Sequence, residues 1–377
     1  MSESELNLLY SDVEQELRTS VRELLADRCP WQSVLDRVSH HSAPAGTTDL
    51  ELWRELAAVG VAGLSVPEEL GGAGATPRES SVVAEELGRS VAPVPFLGSA
   101  VLATSALTAL DADGEVRALL AGLVAGERVA TLAVPLPTTP GSAFPALVRA
   151  GEHGLSGTVS GVVDALNADV LVVPAVSADG PGLYLVAAGQ AALTPLVSLD
   201  QTRPLAEVRL DGAPAVAVAS GRRAADALEA ALVAGAALLA AEQLGTAEWA
   251  LHTTVDYLKE RVQFGRPVGS FQAPKHRLAD LWVLISQARA VVRNAASALA
   301  AGAPDAPLAA ALAQAFVSEV AVRAAEEAVQ LHGGIGFTWE HPAHLYLKRA
   351  KSSAIALGTA DRHRARIAEL VDLPPAP

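Results

Sequence analysis

Apolar residues recur at helical spacing at both ends of the chain and alternate at strand spacing in the middle. Near the amino terminus Val13, Leu17, Val21, Leu24 and Leu25 mark one helical face, and Trp53, Leu56, Ala57 and Gly60 begin a second such set. The stretch VPEELGGAGAT that follows is punctuated by Pro67, Gly71 and Gly72. A phosphate-cradling loop would want a strand before it and a Lys-Ser/Thr pair after it, and neither is there, so the stretch reads as a helix-to-helix connection. Residues 1–125 are thus predicted to form a helical domain.

The period changes near Arg128. Val170 to Val173 and Leu183 to Val186 are short β-branched or aliphatic runs, and Val208 and Leu210 alternate with Glu207 and Arg209. Gly, Pro and Asp-Gly turns separate these runs too closely for intervening helices. The pattern predicts a small β domain over residues 126–220, antiparallel or barrel-like rather than doubly wound.

From Ala224 the helical period returns, with long helices expected at about 222–262, 271–300, 305–333 and 341–370. The second is the most regular: Leu278, Leu281, Trp282 and Ile285 share a face, and Pro274 sits in the first turn. Short Gly/Pro loops between helices of this length predict an antiparallel four-helix bundle over residues 221–377. The fold class is therefore α+β, mainly α.

Composition narrows the function. The 377 residues are enough for a large core, and 28 Lys and Arg against 42 Asp and Glu leave a net charge of −14. Such a surface repels nucleic acid and anionic lipid, so an anionic ligand must meet a local basic patch. Cys29 is the single cysteine, which excludes an internal disulfide and a cysteine-cluster metal site and fits a reducing compartment. The start MSESELNLLYSDVEQELR is acidic where a signal peptide would be basic. Prolines interrupt the uncharged stretches Ser90 to Leu110 and Val129 to Val148, and the charge-free run Ala230 to Ala241 is short, so no membrane span is expected. A cytoplasmic location is expected.

One stretch carries chemistry suited to an anion: RVQFGRPVGSFQAPKHRLADL, from Arg261 to Leu281. Arg261, Phe264 and Gln272, with Arg266, Lys275, His276 and Arg277 nearby, set cationic forks, an aromatic plane and an amide around a turn and a helix start. A pyrophosphate-bearing cofactor fits this set; a basic surface helix end is the plain alternative. In QLHGGIGFT, Gln330 to Thr338, Gly333, Gly334 and Gly336 allow either close approach by a ligand or a helix cap. His332, His341 and His344 lie close in sequence, but no carboxylate completes a metal set, so no metal is assigned. No nucleophile elbow appears.

Together with ALGTADRHR and the amino-terminal VPEELGGAG and AEELGRSVAPVPF, these motifs resemble the acyl-CoA dehydrogenase family of flavoproteins over nearly the whole chain. Within that family the likeness is to paired actinobacterial subunits, some of which act on CoA thioesters of steroid side chains. The resemblance implies FAD as cofactor and an acyl-CoA thioester as substrate. A carboxylate takes the α-proton while the β-hydrogen leaves as hydride to the flavin, and an electron-transferring flavoprotein is the expected acceptor.

Carried over by position, the family's roles divide into two sets. Arg261, Phe264, Gln272, Gln330, Leu331, Gly333 and Gly334 match contacts to the adenosine diphosphate end of a neighbouring subunit's FAD, and Thr359 matches a further flavin contact. The set for the chain's own flavin is depleted: Gly161, Val162 and Val163 stand where the family has Trp-Ile-Thr, and VPLPTTPGSAF keeps only Gly141 and Ser142 of the upstream loop. The two usual base positions hold Leu357 and Gly235. Glu242 is the substitute to weigh, roughly 10 Å further along the helix, against a structural role. Three readings follow: a base-deficient half of a hetero-oligomer that completes a partner's FAD site, a self-sufficient homo-oligomer with a displaced base, or a non-enzymatic scaffold.

Overall fold

A computed structural model describes residues 8–40, 47–110 and 114–374. The acidic start over residues 1–7 and the last residues of LPPAP lie outside them.

The amino-terminal part is helical: α1 (Asp12–Arg28), α2 (Trp31–His40), α3 (Leu50–Ala58), α4 (Pro77–Ser90), a π-helical turn (Phe96–Ala103) running into α5 (Thr104–Thr108), and α6 (Gly114–Val124). Ser11 and Glu14 form a capping box at the start of α1, and Thr76 and Glu79 form another at α4, so the orphan amides of both helices are satisfied locally. Leu56, Trp53, Val21 and Leu25 are buried as their spacing predicts, whereas Val13 is exposed. The VPEELGGAGAT stretch is a loop built on a short 3-10 turn, Glu68–Leu70, between α3 and α4.

The middle strands are β1 (Ala130–Leu132), β2 (Val148–Gly151), β3 (Gly154–Val163), β4 (Val170–Ser177), β5 (Gly180–Ala187), β6 (Ala192–Leu196), β7 (Leu205–Ala213) and β8 (Val216–Ser220). They form one sheet in the order β6-β7-β3-β2-β4-β5-β8, with β1 joined to β4. The sheet is mainly antiparallel, but β1 and β2 each run parallel to β4, a feature that strand spacing alone did not predict. Its inner face is a separate apolar cluster of residues such as Leu155, Val159, Leu171, Val173 and Val208.

The carboxyl-terminal part begins with α7 (Gly221–Glu260), followed by the two-stranded ribbon β9 (Val262–Gln263) and β10 (Arg266–Pro267), α8 (Gln272–Ala300), α9 (Ala306–His332), α10 (Ala343–Ser353) and α11 (Ala360–Leu370). The expected fourth long helix is thus two helices. Leu357 and Gly358 take φ of 54° and 106°, left-handed values that a continuous helix cannot contain. Trp282 also departs from expectation: Leu281 and Ile285 are buried on the α8 face, but Trp282 is 61% exposed.

One continuous core joins the amino-terminal helices to the bundle. The crossing of α4 on α7 depends on two glycines, because a Cβ on Gly88 would lie 1.9 Å from the Glu242 carbonyl oxygen and one on Gly245 would lie 1.8 Å from that of Glu85. Both α7 and α9 are long and apolar enough to cross a membrane by composition, yet 72% and 67% of their apolar windows are buried within the molecule. They are core helices of this fold.

Candidate FAD-binding end and a closed inner region

The end of the bundle where α7 stops, α8 starts and α9 stops gathers most of the candidate residues. Arg261 follows α7, its N–H bonded to the Tyr257 carbonyl at 2.9 Å, and its own carbonyl accepts from Val268 N–H at 2.7 Å, which closes the β9–β10 ribbon. The tip of the ribbon is Phe264 and Gly265, at φ of 52° and 75°. Two positive-φ residues are what a tight hairpin of this hand requires, but phenylalanine adopts that conformation at a cost of about 1–2 kcal/mol. Phe264 is nevertheless 91% exposed, so burial within the chain does not offset the strain. Its ring meets Phe271 edge-on at 6.2 Å, and the Arg266 guanidinium lies 3.9 Å from the Phe271 centroid. Gln272 is the exposed first residue of α8.

The α9 terminus is tied to this turn through stacked rings. His332 is buried, donates from Nδ1 to the Ala328 carbonyl at 2.7 Å, and stacks on Tyr257 at 4.5 Å, one turn before Arg261. Gly333 follows at φ 64°, and a Cβ on Gly333 or Gly334 would find no atom within 4 Å. Gln330 is exposed and Leu331 half-buried. Arg277 and Glu327 pair at 2.7 Å between α8 and α9. The structure therefore brings Arg261, Phe264, Gln272, Gln330, Leu331, Gly333 and Gly334 to one end of the bundle, with open space over the glycines. Arg261's guanidinium has no partner among the described residues. Such a fork, beside exposed backbone and the start of a long helix, is equipped to hold phosphate oxygens.

The positions for the chain's own flavin and base are also brought together, but closed. Val162 and Val163 are buried core residues of β3. The Gly161 carbonyl accepts from Leu136 N–H at 2.9 Å, and the Leu136 carbonyl accepts from Leu357 N–H at 2.7 Å. Loop residue Leu136 thus sews the strand to the break between α10 and α11. The Leu357 side chain is fully buried, and a Cβ on Gly235 would lie 2.9 Å from its Cδ1 and 2.6 Å from Leu102 Cδ2. Leucine methyl groups fill the space in which either usual base would stand. Gly141 N–H donates to the Glu229 carboxylate at 2.8 Å, which holds the 138–142 loop against α7. Thr359, two residues past Leu357, is half-buried at the start of α11 and belongs by position to this region rather than to the Arg261 end.

Both carboxylate oxygens of Glu242 are engaged by arginines. Both its oxygens accept from Arg203 Nη2 at 2.5 Å, one also from Arg349 Nη1 at 3.1 Å, and Arg349 continues to Asp200 at 2.6 Å. Burial alone would push the Glu242 carboxyl up, but the Arg203 and Arg349 guanidiniums hold it below the usual range. The network clamps the strand loop before β7 to α7 and α10. Its members are separated by up to 149 residues in sequence, so no local pattern reveals it. The Tyr257–His332 stack escaped sequence reading for the same reason. His341 and His344 are pushed down to about 4, chiefly by burial; neighbouring His332 and His344 add to this for His341, and Lys348 for His344.

The description of the acyl-CoA dehydrogenase amino-terminal domain matches residues 11–127, and that of the carboxyl-terminal domain matches residues 224–371. Acyl-CoA dehydrogenase IpdE2 of Mycobacterium tuberculosis is 38% identical over 333 residues, covering 86% of this chain and 90% of that relative. The chain belongs to the acyl-CoA dehydrogenase family. Two solved structures are similar throughout. A Tcur3481-Tcur3483 steroid ACAD is 34% identical, with a TM-score of 0.84 over 96% of this chain and 98% of that one. The ChsE4-ChsE5 complex of Mycobacterium tuberculosis is 30% identical, with a TM-score of 0.84 over 98% of this chain and 100% of that one.

FAD is the cofactor of the acyl-CoA dehydrogenase family, to which the chain belongs. The two regions fit that group unequally. The Arg261 end offers a free guanidinium, an outward aromatic ring and unobstructed glycine backbone. In the Gly161–Leu357 region the Gly161, Val162 and Val163 side chains offer neither a stacking plane nor a hydroxyl; the hydroxyls there belong to Thr139, beside Gly358, and Thr359, and Leu136, Leu102 and Leu357 occupy the rest.

Proposed function

We propose that this chain is the base-deficient half of a hetero-oligomeric acyl-CoA dehydrogenase and completes an FAD site whose remainder lies on a homologous subunit. The observation that carries this reading is the contrast just described: Arg261, Phe264, Gln272, Gln330, Gly333 and Gly334 are exposed at one end of the bundle, while the chain's own base positions are packed with leucine. In the complex, Arg261 holds the diphosphate against the open turn at Gly333 and Gly334, Phe264 and Gln272 cover its adenosine side, and the partner supplies the carboxylate. When bound, FAD supplies the hydride acceptor for α,β-dehydrogenation of an acyl-CoA thioester. This chain's residues contribute binding and orientation, not proton transfer. The steroid-directed and two-subunit relatives support a bulky CoA thioester as substrate. An electron-transferring flavoprotein as acceptor and a cytoplasmic location belong to the same reading, as do unit limits near residues 125 and 220.

The test is flavin quantitation and mass measurement on the chain purified alone and co-expressed with a neighbouring dehydrogenase subunit. A colourless chain that yields a yellow, active complex only with its partner is expected. A yellow chain that reduces its own flavin with an acyl-CoA would overturn the proposal in favour of a self-sufficient homo-oligomer, and a partner complex without flavin would favour a scaffold.

A further inference from the structure

Where α1, α4, α7 and α8 meet, a cleft of about 610 Å³ opens to solvent, and four arginines converge on it: Arg18, Arg22, Arg89 and Arg289, with Tyr10 and His252 beside them. None belongs to the Arg261 end or to the Leu136–Leu357 region. Three of the four are fixed in place. Arg18 donates to Glu86 at 2.9 Å and Glu248 at 3.3 Å, Arg22 donates twice to Glu86 at 2.8 and 2.6 Å, and Arg289 donates to Glu248 from Nε at 3.2 Å and from Nη2. In each case Nε and Nη2 are engaged, and the Nη1 amide has no partner among the described residues.

Arg89 differs, because its half-buried guanidinium has no partner at all among the described residues. Its backbone is anchored, since the Arg89 carbonyl accepts from Tyr346 OH at 2.7 Å and Tyr346 stacks on Trp249 at 3.3 Å. The carboxylates nearby are already matched: Glu248 and Glu86 by the tethered arginines, and Asp256 by Lys259 at 3.3 Å. Beneath the cleft, Glu85 accepts from Tyr10 OH at 2.7 Å while its other oxygen has no hydrogen-bond partner among the described residues. Burial, with Glu248 adding, raises its carboxyl to about 8, so at neutral pH it does not cancel the arginines. In a chain of net charge −14, this is a preorganised local excess of guanidinium donors.

We propose that this cleft binds a phosphate-class oxyanion, held by Arg89 and by the free Nη1 amides of Arg18, Arg22 and Arg289. The group is either free phosphate or the phosphoryl end of a small metabolite, and the planar forks supply paired donors to its oxygens.

The test is calorimetric titration of the full chain with inorganic phosphate and, separately, glycerol phosphate in a chloride buffer at constant ionic strength, with Trp249 fluorescence as a second reading. Saturable binding is expected, weakened about tenfold by Arg89→Gln and less by Arg89→Lys. Tighter binding of glycerol phosphate than of phosphate identifies a small organic carrier, and the reverse identifies the free anion. Absence of saturable binding by both probes, or equal binding by Arg89→Gln, overturns the proposal. Should that variant fail to fold, competition on the unaltered chain decides: displacement by sulfate but not by equal chloride supports the site, and equal displacement by chloride overturns it. Because the titration requires neither flavin nor partner, its failure is separable from failure of the FAD reading.

Discussion

The two regions where flavin chemistry could reside use their polar groups in opposite ways. At the Arg261 end the guanidinium is unpaired, Phe264 is strained and exposed, and the glycine backbone faces open space. In the inner region the Leu136 amide donates to Gly161 of β3 and the Leu357 amide to the Leu136 carbonyl, and the side chains of Leu102 and Leu357 meet over Gly235. A group left unpaired and exposed costs a monomer little but offers binding energy to a partner, whereas a closed apolar cluster stabilises the monomer and excludes a ligand. The difference teaches that within one fold a region can be closed by apolar packing while another keeps exposed groups suited to an interface.

The largest expected effect lies in the clamp beside the closed region. Glu242→Ala leaves Arg203 and Arg349 without their shared carboxylate, and denaturant unfolding should show a loss of about 3–5 kcal/mol. A variant of unchanged stability would mean that Glu242 is free for another role.

Next comes Leu357→Glu, which places a carboxyl among leucine methyls at a usual base position. With the region closed, this substitution should destabilise by roughly 2–5 kcal/mol, more at high pH than at low pH because the buried carboxyl must ionise. It should not confer dehydrogenase activity on the chain alone. Activity gained would show that the region can open.

Arg261→Ala probes the other half of the comparison. Its side chain is exposed, so the thermal midpoint of the isolated chain should move by only about a degree or two. Flavin retained by the co-expressed complex, measured by equilibrium dialysis, should weaken by roughly 10- to 100-fold, the worth of a charge-assisted hydrogen bond. Destabilisation without flavin loss would reassign the turn to structure.

Two buried glutamates give the smallest and most discriminating effect, read as midpoint against pH. Glu242 is held low by guanidiniums, so its contribution is present above 4.5 and lost as pH falls through its folded value. Glu85 is the opposite case: the fold keeps its proton up to about 8, whereas the unfolded chain releases it above 4.5, so stability falls as pH rises across that interval. Glu85→Gln should match the parent near pH 5 and exceed it by a few degrees near pH 8. A variant that tracks the parent throughout would show that Glu85 ionises normally.

Much was legible in the chain itself. Periodicity alone separated the helical ends from the strand-rich middle, and the motifs around Arg261 and Gly333 carried the family resemblance because their residue types are chemically distinctive over a short span. The split between α10 and α11 was not legible, since a leucine at positive φ leaves no mark in a helical pattern and Gly358 alone reads as a tolerated residue. The exposure of Trp282 was not legible either, because spacing identifies a face without showing what covers it.

What the sequence determined by itself was local: helix and strand period, and the absence of a carboxylate at Leu357 and Gly235. Tertiary structure alone decided that Glu242 is a clamp, that Leu136 closes the inner region, and that four arginines from three helices share a cleft. These facts rest on contacts between residues scores of positions apart, and their energies come from desolvation and close packing, which exist only once the chain has folded.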